Sequence, residues 1–305
     1  MNKYNKKKKK NQEFFIFIKN KLSDNLKIII ENCSTFLMFY SDESLERKKL
    51  MNSNSCKNRF CPFCAYKKAR KDAYKISIMM KYLILKSEYD FLFLTLTAPN
   101  VIGSELENEI KDYSESFKRL SQTKEFKKIN QGYIRKLEIT HNSETNTYHP
   151  HYHVLLCVNK SYFKSRNYIK REKWLEMWKL AKRDNSITQV DIKKIDITRT
   201  DDKSILEIAK YSAKDTDYLK SQKIFDIFYE SLKGKQVITY NKIFKDISKK
   251  YDAGELDYLK EIDNNNYIFK EIFQWVGNDY NQIILEKLSE EDKQKMNNLI
   301  DEIEI

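Results

Sequence analysis

The chain has 305 residues, and its 57 Lys and Arg outnumber its 44 Asp and Glu, for a formal net charge of +13. No apolar run reaches the roughly 18 to 20 residues that a membrane-spanning helix requires, so we expect no membrane partner. Five scattered glycines cannot form a Gly-rich nucleotide loop, which argues against ATP- or NAD-driven chemistry. A hydrophobic fraction of 41% is enough for a folded core. The positive surplus indicates a polyanionic partner, and the alternative is a lysine-rich surface that contacts only solvent.

The N-terminal segment, residues 1–24, starts with a run of lysines and predicts a basic, partly disordered tail. Its apolar stretch FFIFI is shorter than the hydrophobic region of a secretory signal, and no small-residue cleavage site follows. Five cysteines, three of them between positions 56 and 64, favour metal binding in a reducing compartment over a disulfide framework. We therefore expect a cytoplasmic protein.

The hydrophobic periodicity beyond the tail predicts alternating strands and helices. In chain order we expect a strand after Cys33, a helix over 65–87, a buried strand over 91–98, a helix over 105–128, an antiparallel hairpin of strands 132–142 and 151–158, a helix over 170–183, a strand over 187–196, a helix over 203–220, and helices to about residue 249. This order predicts an α+β fold with a central antiparallel sheet flanked by helices. The expected parts are the tail (1–24), a Cys-rich zinc module with a connecting helix (25–87), a central domain (88–249) and a C-terminal extension (250–305).

The cysteines before residue 65 have the spacing of a zinc site. Cys56-x4-Cys61-x2-Cys64 places three thiols close together, and Cys33 can complete a tetrahedral set of four thiolates for Zn²⁺. Basic residues around them suggest contacts to DNA phosphates: Lys57, Arg59, Lys67, Lys68 and Arg70. About equally well, the zinc only stabilises a segment that lacks its own core. Cys157 is expected to be a small buried hydrophobic residue.

Three histidines alternate in the second strand of the predicted hairpin and just before it: His149, His151 and His153. Alternate residues of a strand share a face, so these rings lie close enough to bind one ion. Glu138 on the partner strand could supply a carboxylate to the same ion. Two imidazoles and a carboxylate suit Mn²⁺ or Mg²⁺, with Zn²⁺ as a competitor by affinity. For an H-x-H pattern alone, ordinary surface or core histidines are the alternative.

The helix predicted over 203–220 carries one polar stripe, made of Glu207, Tyr211, Lys214 and Tyr218. Glu207 and Tyr211 are one turn apart, about 6 Å along the axis at 1.5 Å per residue, so both can address one phosphate. Tyr218 lies about 10.5 Å further along and cannot share that position. An ordinary amphipathic helix would show the same stripe, so this pattern alone does not establish a site.

Four segments taken together resemble the motifs of rolling-circle plasmid replication initiators, the HUH endonucleases with a single catalytic tyrosine: CKNRFCPFC (56–64), FLTLTAPN (93–100), HPHYHVLL (149–156) and EIAKYSAKD (207–215). They occur in the order of that family, and the resemblance extends through GELDYLKEID (254–263). It implies that the central sheet over 88–249 is of the HUH type.

The resemblance also implies roles for individual residues. His151 and His153 would bind the metal ion, Tyr211 would be the nucleophile, and Glu207 would activate water in the closing step. Glu138 as the third ligand rests on the hairpin register and on analogy with related HUH enzymes, and His149 is the other candidate. Lys210 or Lys214 could stabilise the tyrosine phenolate, and Lys210 is also a candidate for contacting DNA.

The reaction that the resemblance implies is nicking of one strand of plasmid origin DNA through a 5′-phosphotyrosine intermediate. A free 3′-OH would prime rolling-circle replication, and strand transfer or hydrolysis would end it. A host helicase and a DNA polymerase are the implied partners. The alternatives are a relaxase or a single-tyrosine transposase of the same superfamily, or a zinc-containing DNA-binding regulator without catalysis.

Overall fold

The structure, a computed structural model, describes residues 1–195 and 215–302. Four candidate catalytic and DNA-contacting residues lie outside the described residues: Glu207, Lys210, Tyr211 and Lys214. The chain divides into two compact units. Unit 1 combines Met1–Lys68 with Lys260–Asp301, and unit 2 contains Ala69–Leu259 with Glu302.

The described residues form an α+β protein with two antiparallel sheets flanked by helices. The helices and strands follow one another as α1 (Asn2–Ile18), α2 (Asp24–Glu31), β1 (Phe36–Ser41), β2 (Lys48–Ser53), α3 (Pro62–Leu85), β3 (Tyr89–Thr97), α4 (Leu106–Gln122), α5 (Lys124–Ile129), β4 (Gly132–Asn142), β5 (Thr147–Asn159), α6 (Arg171–Lys182), β6 (Val190–Lys194), α7 (Asp215–Tyr218), α8 (Gln222–Leu232), β7 (Ile238–Lys242), α9 (Ile243–Asp252), β8 (Phe269–Val276), β9 (Asp279–Lys287) and α10 (Glu290–Gln294). None of the described helices is long and apolar enough to cross a membrane.

The N-terminal segment forms a helix over Asn2–Ile18, where the sequence predicted a basic, partly disordered tail over 1–24. In α1 the buried positions 4, 8, 11, 14 and 18 recur three or four residues apart, which is the spacing of one helix face. Tyr4, Phe14 and Ile18 supply the apolar part of that face. Lysine has a good helix propensity, so the run of lysines is compatible with the helix. The lysine-rich composition of the segment by itself does not indicate this pattern.

Unit 1 is built on a four-stranded sheet with the order β2-β1-β8-β9. The strand expected after Cys33 is confirmed as β1, whereas β8 and β9 were not predicted. β1 pairs with β8 so that Leu37 lies opposite Phe273. Residues this far apart in the chain leave no local signal of their pairing, which is why the C-terminal residues were expected only as an extension. They supply two of the four strands of this sheet.

Unit 2 contains a five-stranded antiparallel sheet with the order β6-β3-β5-β4-β7. The predicted hairpin, buried strand, strand over 187–196 and flanking helices are confirmed as β4 and β5, β3, β6, α4 and α6. The helix expected over 105–128 is interrupted at Thr123, whose side chain accepts a hydrogen bond from the backbone N–H of Phe126 and so starts α5.

The prediction of helices to about residue 249 is wrong at β7. Ile238–Lys242 forms an edge strand that pairs with β4. Its sequence ITYNK begins with β-branched and aromatic residues, which favour a strand once a partner edge is present. The segments on either side, α8 and α9, are helical as expected.

The sheet of unit 2 has two different faces. On one face Tyr152 packs against Tyr113 and Phe117 of α4, and Trp178 of α6 donates its indole N–H to the carbonyl of Thr97 over 2.7 Å. Because side chains alternate along a strand, His151 and His153 point to the opposite face. The helices therefore pack against one face of β5, and the histidines lie on the other face, where they can form a site.

Candidate active site and metal centres

The hairpin register brings the predicted acidic and histidine residues together. Glu138 of β4 pairs directly with His151 of β5, and the next row on the same face pairs Lys136 with His153. Thr95 of β3 lies opposite His153 from the other side, and Thr97 lies opposite His151. β5 is the central strand of the sheet, so it receives side chains from both neighbours. The expected placement of Glu138 on the histidine face is confirmed.

The side chains of Glu138, His151 and His153 converge on one point. Glu138 Oε2 lies 3.0 Å from Nε2 of His153 and 3.6 Å from Nε2 of His151. The two imidazole rings are nearly perpendicular, with centroids 4.8 Å apart. One ligand atom from each of the three residues lies within 4.8 Å of the others, so together they could hold a metal ion.

Both rings are oriented by groups on the side away from Glu138. Nδ1 of His151 donates to the carbonyl oxygen of His149 over 3.3 Å, and Nδ1 of His153 lies 3.3 Å from Oγ1 of Thr95. In neutral His151 the proton on Nδ1 leaves a lone pair on Nε2, aimed at the carboxylate of Glu138. Two acceptors then face each other unless a proton or a cation lies between them. A hydrogen bond at Nδ1, which leaves Nε2 to face the ion, is the arrangement that metal-binding histidines usually have.

The charges around these converging side chains suit a cation. Burial raises the pKa of Glu138, but the adjacent imidazoles of His151 and His153 outweigh burial, and the pKa lies well below its usual range. Glu138 is therefore an ionised carboxylate at neutral pH. Burial lowers the pKa of His149, and the nearby charge of His151 lowers it further. The ring of His149 is 5.3 Å from that of His151 and lies beside the three converging side chains.

The second centre lies in unit 1, where Cys33, Cys56, Cys61 and Cys64 come together as the spacing predicted. Sγ of Cys33 lies 3.6 Å from Sγ of Cys61 and 3.5 Å from Sγ of Cys64, and Cys56 and Cys64 are 3.6 Å apart. These separations are far above the roughly 2.05 Å of a disulfide. They approach the edge of about 3.8 Å that follows for a tetrahedron of sulfurs around an ion at about 2.3 Å. The four thiols could therefore hold one metal ion.

Backbone and side-chain N–H groups point at these sulfurs. The N–H of Cys56 donates to Sγ of Cys33, and the N–H of Lys57 donates to Sγ of Cys64, each over 3.3 Å. Hydrogen bonds from Cys33 and the other cysteines lower the pKa of Cys64, whereas burial raises the pKa of Cys61. Thiols packed this closely cannot all ionise without a cation to offset their charges. The four sulfur atoms therefore suit a metal ion that binds thiolates.

Comparison with known proteins identifies the family. A model of the Rep_1 family, described as replication protein, matches residues 47–282. The chain belongs to this family. It is 50% identical over 220 residues to a "Protein rep" of Staphylococcus aureus, covering 72% of this chain and 95% of the relative. It is also 36% identical over 250 residues to a "Protein rep" of Bacillus amyloliquefaciens, covering 75% of this chain and 74% of the relative. No solved structure matches the chain significantly.

The resemblance to plasmid replication initiators, first noted from four short motifs, is thus confirmed at the level of the family. The region that matches the replication protein family contains the histidine strand, three of the four clustered cysteines and the segment with Tyr211. Cys33 precedes the matched region, and the structure brings its sulfur to the other three.

Sequence analysis of this replication protein missed Lys136. It is only 3% exposed, and it stands on the same face as Glu138, in the row of His153. A lysine at the centre of an otherwise buried strand, two residues before a candidate ligand, is the signal that could have identified it. Its register places its side chain on the same face of the sheet as the three converging side chains.

The basic residues expected to contact DNA fall into two groups. Lys57, Arg59 and Lys68 are exposed, and Lys67 is half-buried with its Nζ 2.9 Å from Oγ of Ser53. Arg70 differs, because its side chain is buried and its Nη1 lies 2.9 Å from Oε1 of Glu302. The side chain of Arg70 is therefore not exposed in the way that the predicted contact with DNA assumed. A short sequence window shows the charge of a residue but not its burial.

Proposed function

We propose that this replication protein is a metal-dependent endonuclease that nicks one strand of plasmid origin DNA and rejoins strands by transfer. The observation that carries the proposal is the convergence of Glu138, His151 and His153 on one face of a central strand, in a chain of the replication protein family. Paired histidines on a central antiparallel strand also support the HUH interpretation of the sheet in unit 2.

Glu138, His151 and His153 would hold the ion at the nicking site. We propose Mn²⁺ or Mg²⁺, because one carboxylate and two imidazoles leave coordination positions open for phosphate. When bound, the ion would polarise the scissile phosphate and offset the charge developing on its non-bridging oxygens. Lys136 would add a second positive charge close to that phosphate. Thr95 and the carbonyl of His149 would hold the two imidazoles in their ligating orientation.

Tyr211 would be the nucleophile. Its phenol oxygen loses its proton and attacks phosphorus, and the bond from phosphorus to the 3′ oxygen breaks. The 3′ oxygen takes up a proton to become the primer hydroxyl, and the 5′ phosphate stays bound to Tyr211. Because a tyrosine hydroxyl has a reference pKa of about 10, Lys210 or Lys214 would assist by stabilising the phenolate. The phosphodiester is exchanged rather than hydrolysed, so no ATP is needed to reseal the DNA.

The direct test is incubation of the purified protein with a supercoiled plasmid that carries its own origin, with and without Mn²⁺. We expect open circles and a covalent protein–DNA adduct only when the divalent ion is present. A plasmid without the origin is the control. Tight binding to the origin with no cleavage under any divalent ion would contradict the proposal and favour a non-catalytic DNA-binding regulator. Cleavage confined to a transfer origin or a transposon end would favour a relaxase or a transposase.

Glu207 is proposed to end replication by activating the water that cleaves the regenerated origin. Replacing Glu207 by Ala should leave the first nick within about threefold of wild type, since the carboxylate is not the nucleophile. Termination should fail, and multimeric or covalently trapped DNA should accumulate in a replication assay. Lys203→Ala, four residues earlier in the sequence, is the matched control. Normal termination by the Glu207→Ala protein would show that this carboxylate is structural.

We propose Zn²⁺ at the four cysteines, because a thiolate-only tetrahedral set suits that ion in a reducing cytoplasm. The exposed cations of Lys57, Arg59 and Lys68, with Lys67, would then contact DNA phosphates next to a zinc-stabilised segment. A host helicase and a DNA polymerase are the partners that would unwind the nicked duplex and extend its 3′-OH.

Elemental analysis of the purified protein should find one zinc per chain. Cys64→Ser should lower zinc affinity by at least about tenfold and reduce the melting temperature, because structural zinc contributes folding free energy. The rate of the chemical step should change less than DNA affinity does. Cys157→Ser is the control, since Cys157 is buried in β5, is not one of the four clustered cysteines and should leave the zinc content at one. Wild-type protein without zinc, purified in the absence of strong chelators, would contradict the assignment.

A further inference from the structure

The buried face of α1 contains two polar residues at its centre. Lys8 is 1% exposed and Asn11 is 0% exposed, whereas the apolar residues Tyr4, Phe14 and Ile18 complete the face. The remaining lysines of α1 are exposed or half-buried. A lysine is almost never fully buried unless its charge is compensated. The position of Lys8 therefore requires an explanation.

Every proton of the Lys8 ammonium group has an acceptor. Nζ donates to the backbone carbonyl of Cys33 over 2.8 Å, to the backbone carbonyl of Glu31 over 2.9 Å, and to Oδ1 of Asn11 over 3.1 Å. These oxygens satisfy the hydrogen bonds, but none of them belongs to a carboxylate. The carboxylate of Glu31 acts on this positive charge without a direct contact, so no group in contact with Nζ neutralises it.

Asn11 extends this network to the cysteine cluster. Its side-chain NH₂ group lies 3.3 Å from Sγ of Cys61 and 3.5 Å from the carbonyl oxygen of Ile30. Lys8 binds the amide oxygen of Asn11, which keeps the amide NH₂ turned toward the sulfur. A connected path thus runs from the Lys8 ammonium through the Asn11 amide to a sulfur of the cysteine cluster.

A metal ion bound by the four cysteines would account for the burial of Lys8. Four thiolates around a divalent ion carry a net charge of −2, and Cys33 and Cys61 are fully buried. Four protonated thiols carry no charge, so without the ion the buried ammonium would lack a compensating partner among its contacts. A buried cation is tolerated when a buried negative charge lies close by.

We propose that Lys8 and Asn11 form the outer shell of the cysteine metal site, so that binding of the metal ion holds the lysine-rich helix α1 in place. Lys8 is a positioning residue that compensates the charge of the site and orients Asn11, which donates to Cys61. The inference rests on the proposal that the four cysteines bind zinc. It adds that the N-terminal helix, which precedes the region matched by the family, belongs to the same metal-dependent unit.

The first experiment measures zinc affinity by competition with a colorimetric chelator. Lys8→Met keeps a long unbranched side chain and removes the ammonium group, and we expect it to weaken zinc binding by about 10- to 100-fold, as outer-shell changes usually do. Lys9→Met makes the same substitution at the next, exposed position of α1 and should stay within about twofold of wild type. Equal affinities for Lys8→Met and wild type would overturn the inference.

The second experiment measures the docking of α1 by limited trypsin digestion, with zinc and after its removal. In the wild-type protein we expect zinc to protect the bonds after Lys7 to Lys10 and its removal to expose them. Lys8→Met should be cleaved within α1 even with zinc present, whereas Lys9→Met should be protected. Cleavage of wild-type α1 at the same rate with and without zinc would overturn the coupling.

Asn11→Leu keeps the inference testable if Lys8→Met does not fold. It retains side-chain volume but removes the donor to Cys61, and it should lower zinc affinity while circular dichroism shows an unchanged helix content. Unchanged affinity would overturn the role of Asn11. The two proposals fail differently: no zinc in wild-type protein contradicts both, whereas zinc bound equally by wild type, Lys8→Met and Asn11→Leu contradicts only the outer shell.

Discussion

Tyr211→Phe should abolish nicking and the covalent DNA adduct while origin binding stays within about threefold of wild type. The phenol oxygen is the proposed nucleophile, and its removal leaves the aromatic ring available for packing. Removal of a catalytic nucleophile usually lowers the reaction rate by several orders of magnitude. We therefore expect the nicking rate to fall by at least about 10³-fold. Open-circle formation and denaturing-gel detection of the adduct measure the two effects, and a gel-shift assay measures binding.

Tyr218→Phe is the matched control for this substitution. Tyr218 is buried, and its ring packs against Phe225 and Phe228 with centroids 6.3 and 6.2 Å away. A phenylalanine keeps that packing, so the variant should nick DNA and form the adduct. An adduct that peptide mapping places on Tyr218, or full activity in Tyr211→Phe, would contradict the assignment of the nucleophile.

His153→Ala should lose metal-dependent cleavage, with a rate at least about 10³-fold below wild type at Mn²⁺ concentrations that saturate the wild-type protein. Its Nε2 is the ring nitrogen nearest to Glu138, at 3.0 Å, and its loss removes one of three proposed ligands. His151→Ala should behave in the same way.

His149→Ala is the control on the same strand. Its ring lies next to that of His151 but outside the converging set, so the Mn²⁺ titration should stay within about threefold of wild type. Glu138→Gln keeps the shape of the side chain and removes its charge, and it should weaken the apparent Mn²⁺ affinity about 10- to 100-fold without changing origin binding. An unchanged titration in Glu138→Gln with a weakened one in His149→Ala would identify His149 as the third ligand.

Local sequence pattern was sufficient for the histidine site because a strand has a side-chain period of two. The alternation of His151 and His153 determined that both rings share a face, and a single short turn between β4 and β5 determined which residue lies opposite them. Glu138 could therefore be placed from the hairpin alone. A shift of the strand register by a single residue would have moved Glu138 to the core face.

The cysteine centre was predictable for a different reason. Cys56, Cys61 and Cys64 are close in the chain, so their spacing already restricts how their thiols can meet, and Cys33 was the remaining cysteine upstream. Their surroundings were not predictable. The sequence shows a run of lysines at positions 6–10, and nothing in that run distinguishes the buried Lys8 from its exposed neighbour Lys9.

The sequence by itself thus determined the family, the α+β class, most strands and helices of unit 2, and the residues able to bind metal, because these depend on short-range spacing and periodicity. Only the tertiary structure decided the pairing of β1 with β8, the edge strand β7, the burial of Lys136 and Arg70, and the approach of Lys8 to the cysteines. Each of these depends on contacts between distant parts of the chain. Such contacts form when distant segments share a core, and a local pattern carries no record of which partner will cover a given side chain.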